Sequence, residues 1–109
     1  MKRARDKWGG RLVLGIIAVF LMVSFAVAQE SPYDKGIHAY LKKDFRTSVK
    51  YLKEYIQKKP DPYAYYLLGY ASYEIKKYPE SREYFKEAYF LDPTISPVSV
   101  KAFLKKKSE

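Results

Sequence analysis

The sequence contains no cysteine and a single histidine, His38. Without cysteine, the chain has no disulfide framework, no thiolate metal ligand and no cysteine nucleophile. One histidine does not supply a histidine metal cluster or a catalytic triad within one chain. No phosphate-binding glycine motif and no metal-ligand spacing occurs either. We therefore expect a protein that is not an enzyme and needs no cofactor or metal, and we interpret His38 as a structural or exposed residue.

The first 28 residues are almost free of acidic side chains. They carry five basic residues against one acidic residue, and the uncharged run 12–28 ends in Ala26-Val27-Ala28. A basic region, an apolar run and small residues at its end are typical of a secretory signal peptide. We therefore expect residues 1–28 to be a signal peptide that is cleaved between Ala28 and Gln29. The protein is then exported, and it is periplasmic or secreted.

The alternative is that residues 12–28 are retained as a membrane anchor. As a helix this run spans about 25 Å, which is shorter than a hydrocarbon core of about 30 Å. Membrane contact is expected only if the segment is retained. Cleavage lowers the net charge from +9 to +5, because the removed segment carries five basic residues and one acidic residue. Since exported proteins seldom meet nucleic acid, we expect no nucleic-acid partner.

The rest of the chain repeats itself at an offset of 33 residues. Three pairs with special backbone or packing properties recur at this offset: Gly36 and Gly69, Ser48 and Ser81, Pro60 and Pro93. Self-similarity at a fixed period of this size predicts a helical-repeat architecture. A capping residue followed by proline at 31–32, 61–62 and 96–97 predicts three helix starts. The expected helices are 32–42, 46–58, 62–75, 79–90 and 96–107.

Residues 63–93 resemble a tetratricopeptide repeat. The resemblance rests on a set of large, small and proline positions: Tyr65, Leu68, Gly69, Tyr73, Tyr78, Ser81, Phe85, Ala88 and Pro93. Residues 31–60 resemble the same repeat through Gly36, Tyr40, Phe45, Ser48, Leu52 and Pro60. They depart from it at Lys35, where the family has a large apolar residue, and at Tyr55, where it has a small one.

The resemblance implies an all-α fold, a short right-handed α-solenoid. Two helix-turn-helix repeats, about 31–60 and 62–93, would occupy residues 29–94. A capping helix and a basic tail would occupy residues 95–109. The resemblance also implies a scaffold that binds a protein or peptide partner.

The small residues of the repeat have an expected packing role. Gly36 and Gly69 lie where the two helices of each hairpin would cross closely, because a Cβ atom there would push the helices apart. The opposing helices would supply the small residues Ser48, Ser81 and Ala88 at these crossings.

Tyrosines form a second face on the first helix of repeat two. Tyr63, Tyr66, Tyr70 and Tyr73 follow one another at spacings of three, four and three, apart from the packing face of Tyr65, Leu68, Gly69 and Ser72. In the family the corresponding positions line a concave groove, to which repeat one would add Tyr33, Ile37 and Tyr40. Tyrosine suits such a groove because it buries area at low rotamer cost and keeps a hydroxyl. The alternative is that these rings pack against adjacent helices or the capping helix.

Two functions follow from these features. The first is an exported adaptor that holds a peptide segment or a partner helix in the tyrosine-lined groove. The second is a membrane-anchored envelope assembly factor that uses its basic surface on anionic lipid or polymer. Because three repeats are usually needed to bury a continuous core, we also expect marginal monomer stability or self-association through the exposed first helix.

The mass of the processed protein tests the predicted cleavage. We expect a mature chain that begins at Gln29, since Ala26 and Ala28 occupy the small-residue positions before that bond. Intact-mass spectrometry of the protein recovered from its source is the measurement. A mass that includes residues 1–28 would reject the exported adaptor and favour the anchored form.

Overall fold

Five α-helices follow one another in residues 30–109, the part of the chain that the computed structural model describes. They are α1 Pro32–Leu41, α2 Phe45–Lys58, α3 Pro62–Glu74, α4 Tyr78–Leu91 and α5 Pro97–Ser108. No residue of this part lies in a β-strand. The all-α helical-repeat prediction is confirmed, and the predicted helix bounds differ from these by one residue at most.

The predicted signal peptide, residues 1–28, lies outside the described residues. Within residues 30–109, no helix combines the length and the apolar character needed to cross a membrane.

Four of the five helices begin at a side chain that accepts a backbone hydrogen bond. These N-caps are Ser31, Asp44, Asp61 and Ser96. Such a side chain satisfies one of the N–H groups that the first helical turn leaves without a partner. At the start of α5, Ser96 and Ser99 cap each other's backbone N–H reciprocally. The local sequence therefore fixes where the helices begin.

A left-handed residue ends the first helix of each repeat. Lys43 has φ 62° and Lys76 has φ 66°, and they lie 33 residues apart. In both turns the N–H of the next residue donates to the carbonyl five residues back, from Asp44 to Ala39 and from Lys77 to Ser72. This hydrogen bond defines a Schellman motif. A left-handed residue with a side chain costs about 1–2 kcal/mol, so both turns hold a strained lysine.

The helices of each hairpin cross at a glycine. A Cβ atom on Gly36 would lie 2.7 Å from Leu52 of α2, and one on Gly69 would lie 2.9 Å from the ring of Phe85 of α4. One helical turn before Leu52 and Phe85, a buried serine donates a hydrogen bond across each crossing. In the first hairpin, Ser48 Oγ lies 2.9 Å from the Gly36 carbonyl oxygen. Ser81 Oγ and the Gly69 oxygen are 2.6 Å apart. The two hairpins are therefore built on the same crossing.

The core joins all five helices. Its buried members are Ile37, Leu52, Leu67, Leu68, Ile95 and Val100. Ala64, Ala71 and Ala88 are also fully buried. Pro60 and Pro93 lie in the connections after α2 and α4, where neither helix continues. The cluster draws on both repeats and on α5, so the terminal helix is part of the core.

The two departures of repeat one from the family pattern have local partners in the structure. The Lys35 ammonium lies 5.2 Å from the centre of the Tyr51 ring, which is within cation–π range. The Tyr55 ring lies 4.5 Å from Tyr33, and its hydroxyl donates to the carboxylate of Asp61. Tyr55 therefore connects repeat one to the N-cap of α3.

Leucine at Gly69 tests the crossing. Because even a Cβ atom would overlap the Phe85 ring, Gly69→Leu is expected to force the hairpin open, at a cost of about 3 kcal/mol. We expect loss of folding for so small a core, measured by circular dichroism and thermal melting. Tyr73→Leu, a leucine at an exposed position of the same helix, is the control. An unchanged melting temperature for Gly69→Leu would contradict the crossing.

Two buried serines provide a matched test of the crossing hydrogen bond. Ser81→Ala removes a donor to the Gly69 carbonyl and should destabilise by about 1 kcal/mol. The buried Ser72 hydroxyl has no hydrogen-bond partner among the described residues, so Ser72→Ala should be neutral or stabilising. Any gain in helix propensity is the same for both substitutions. Urea unfolding should rank Ser72→Ala above Ser81→Ala, and equal midpoints would show that the hydrogen bond contributes nothing.

Candidate partner-binding groove

The predicted groove is partly covered and partly open. At its covered end lie Tyr33 and Tyr63, in the first turns of α1 and α3. The Phe103 ring of α5 stacks on Tyr63, with centres 4.6 Å apart and planes 14° apart. The Lys107 ammonium lies 5.1 Å from the centre of the Tyr33 ring. The terminal helix therefore occupies this end, as the packing interpretation of these rings expects.

One predicted groove residue is a core residue instead. Ile37 is only 2% exposed and belongs to the same cluster as Leu67 and Val100. A partner could not contact its side chain while α5 stays in place. The prediction placed Ile37 on the groove because the corresponding positions of the family line one, and the resemblance does not show what covers the side chain in this chain.

Tyr66 contacts aromatic side chains of the neighbouring helix. Its ring meets Phe85 edge-on at 5.2 Å and lies 6.4 Å from Tyr89, so it packs against α4. Burial raises the pKa of its hydroxyl, with smaller contributions from the neighbouring hydroxyls of Tyr89 and Tyr70. The prediction that Tyr66 lies clear of the packing face is therefore wrong for its ring.

The open end of the groove lies at the C-terminal turns of α1 and α3. The Tyr70 ring is 6.1 Å from Tyr40 and 6.2 Å from Phe45, and these three rings form one cluster. Tyr73 meets Tyr78 edge-on at 5.3 Å. Tyr70 is 42% exposed and Tyr73 is 54% exposed. This aromatic surface is accessible to a partner.

The hydroxyl pKa is raised at three of the groove tyrosines, Tyr33, Tyr40 and Tyr70. Burial raises the pKa of Tyr33 and of Tyr40, with smaller contributions from nearby Asp61 and Tyr70 respectively. A hydrogen bond with Glu74 is the largest cause of the raised pKa of Tyr70. Because a neutral phenol can donate a hydrogen bond, the groove offers donors at physiological pH.

Sequence reasoning missed two features of the site. It did not identify Ala64, Leu67 and Ala71, which are fully buried on α3. In the sequence these three residues are spaced by three and four positions, which indicates one helix face. The tyrosines between them suggested a different face. It also did not predict that Phe103 would stack within the groove. In residues 30–109, no group of side chains is arranged to hold a metal ion.

Comparison with known families supports the repeat. Residues 62–95, which contain α3 and α4, match the family model of the tetratricopeptide repeat. The match supports a tetratricopeptide-repeat protein and, with it, a scaffold for protein–protein interaction; proteins of this family are typically non-catalytic. Neither the curated proteins nor the solved structures gave a match. The match does not include α1 and α2, but these helices cross at a glycine as α3 and α4 do, and a left-handed lysine follows α1 as it follows α3.

Proposed function

We propose that the protein is an exported scaffold that holds a peptide segment or helix of a partner protein against the open end of its tyrosine-lined groove. The observation that carries the proposal is the exposure of Tyr70 and Tyr73 on a helix whose other faces are buried. Large aromatic side chains that remain exposed on a well-packed helix are favourable anchors for a partner. The cluster with Tyr40 and Phe45 holds the Tyr70 ring in place, so binding would lose little side-chain entropy.

The covered end of the groove supports this proposal. There, α5 supplies an aromatic ring to Tyr63 and a lysine to Tyr33, and the tyrosine surface accepts a helix within the chain itself. A partner helix with an aromatic residue could make the same contacts at the open end. The hydroxyl of Tyr40 would donate to its carbonyl or carboxylate oxygens, while Tyr70, whose hydroxyl already bonds Glu74, would contribute its ring.

Truncation of the two open tyrosines tests this function. The double variant Tyr70→Ala/Tyr73→Ala removes two aromatic anchors. At about 2 kcal/mol each, partner affinity should fall about a thousandfold. The measurement is capture of partners by the tagged protein from the envelope fraction of its source cells, followed by titration with the partner captured.

Leu68→Ala is the matched control for a purely structural effect. This buried residue should cost about 2–5 kcal/mol of stability when truncated. The double tyrosine variant should lose binding and retain most of its thermal stability. If it instead unfolds as readily as Leu68→Ala, the open rings are structural and the proposed groove is wrong.

A basic surface favours the second candidate, a membrane-anchored assembly factor. Four cations surround a cavity of about 420 Å³ whose apolar walls are Val49 and Ile75: Arg46, Lys50, Lys53 and Lys77. A cluster of like charges of this kind attracts anionic lipid headgroups or an anionic polymer. This candidate requires that residues 12–28 be retained, so the intact-mass measurement distinguishes it from the exported scaffold.

A further inference from the structure

The second repeat has an uncovered surface where the first repeat binds a helix. On α2, Val49 and Ile56 pack against the core, and α2 packs against α3. The residues 33 positions later are Arg82 and Tyr89 of α4. These two residues line a cavity of about 570 Å³ whose walls all belong to α4, together with Phe85, Lys86 and Phe90. We call these five residues the α4 face.

The α4 face exposes large aromatic side chains. Phe90 is 80% exposed and Tyr89 is 44% exposed, although they directly follow the fully buried Ala88 in the chain. α5 contacts α1 and Tyr63 of α3, and none of its residues lines the α4 face. Apolar surface of this kind is stabilised when another apolar surface covers it.

The charges on α4 are segregated. Arg82 and Lys86 lie one turn apart and line the cavity. Three carboxylates form a different stripe of the helix, at spacings of three and four: Glu80, Glu83 and Glu87. Lys86 approaches Glu83 at 3.9 Å, but both side chains are about three-quarters exposed, so this pair is weak. The α4 face is therefore aromatic and positively charged.

The helix that occupies the corresponding position on the first repeat is α3, which packs against α2. Three fully buried residues of α3 follow one another at spacings of four and three and form one stripe: Ala64, Leu68 and Ala71. Small residues at both ends of such a stripe let the helix backbones approach closely. A helix for the α4 face would carry a similar stripe. Because Arg82 replaces the apolar Val49, it would also carry a carboxylate beside that stripe.

A second copy of this chain does not supply such a helix in head-to-tail packing. The residues of α1 that correspond to the α3 stripe are Ser31, Lys35 and His38. They are polar, so they offer no apolar stripe to the aromatic side chains of the α4 face. Apolar surface is stabilised by apolar contact, which these positions do not supply. The polarity of α1 at these positions therefore favours a different protein.

We propose that the α4 face is a second docking site, distinct from the tyrosine groove, for an acidic amphipathic helix of a partner protein. The helix would place a small-Leu-small stripe against Phe85 and Tyr89, with its carboxylate between Arg82 and Lys86. Its position corresponds to that of α3 on the first repeat, so the partner extends the solenoid by one helix.

Two synthetic peptides, each stapled into a helix, test the proposal. Both carry the stripe Ala-x3-Leu-x2-Ala, and they differ only in having glutamate or lysine beside it. Fluorescence anisotropy measures their binding to the purified protein. We expect the glutamate peptide to bind at least tenfold more tightly than the lysine peptide, and its affinity to fall with added salt. Arg82→Glu should weaken the glutamate peptide at least tenfold and strengthen the lysine peptide.

Two control variants separate this site from other effects. Lys101→Glu makes the same charge change at an exposed position of α5 and should leave both affinities unchanged. Tyr73→Ala alters the open groove and should also leave them unchanged, so failure here and failure of the groove proposal are distinguishable. Tyr89→Ala should weaken both peptides, because it removes an aromatic wall. Should Arg82→Glu melt below the wild type, Lys86→Glu serves as the charge variant.

Three outcomes would overturn the proposal. The first is equal affinity for the two peptides. The second is binding that Tyr73→Ala removes and Arg82→Glu does not. The third is a dimer in sedimentation velocity that Tyr89→Ala dissociates, since a second copy would then be the occupant of the α4 face.

Discussion

The contact between a glycine and a large side chain at each helix crossing determines the rest of this fold. At Gly69 the ring of Phe85 lies 2.9 Å from the position that a Cβ atom would take, and Ser81 donates to the glycine carbonyl beside it. The crossing brings two helix backbones together, so the other faces of α3 must be covered by neighbouring helices or remain open. The buried stripe and the exposed tyrosines of α3 are both consequences of this arrangement. Repeat one has the same crossing, which is why one helix position in the first repeat can be compared with its counterpart in the second.

Local structure was predictable from the sequence because its determinants are local. Capping side chains followed by proline mark three of the five helix starts, and the paired glycines and serines reveal the crossing. The position of α5 was not predictable in this way. It depends on the burial of Val100 and on the stacking of Phe103 on Tyr63, a residue 40 positions earlier in the chain. The family resemblance placed Ile37 and Tyr66 in a groove, but it could not show which neighbouring side chains cover them.

Aromatic residues serve several purposes on these helices, and their surroundings decide which. Tyr63 is covered by α5, Tyr66 packs against α4, and Tyr70 joins a cluster that remains accessible. A phenol ring contributes apolar contact in each case, while its hydroxyl can remain at the surface. The same residue type can therefore stabilise the short solenoid and present a binding surface. This dual role explains why a stripe of tyrosines could be interpreted from sequence either as a groove or as packing.

The first helix of repeat one and the last helix of repeat two expose side chains of different polarity. The two ends of the array of helices are therefore not equivalent. In the first repeat the positions that correspond to the buried stripe of α3 are polar, Ser31, Lys35 and His38, so they offer no apolar stripe to a further helix. The last repeat instead presents Phe85, Tyr89 and Phe90, which in a longer array a further helix would bury. Because α5 packs against α1, it contributes to the core of the chain and leaves the α4 face exposed. A polar first end together with an aromatic, cationic last end disfavours stacking of identical chains and permits one partner to bind at the last end.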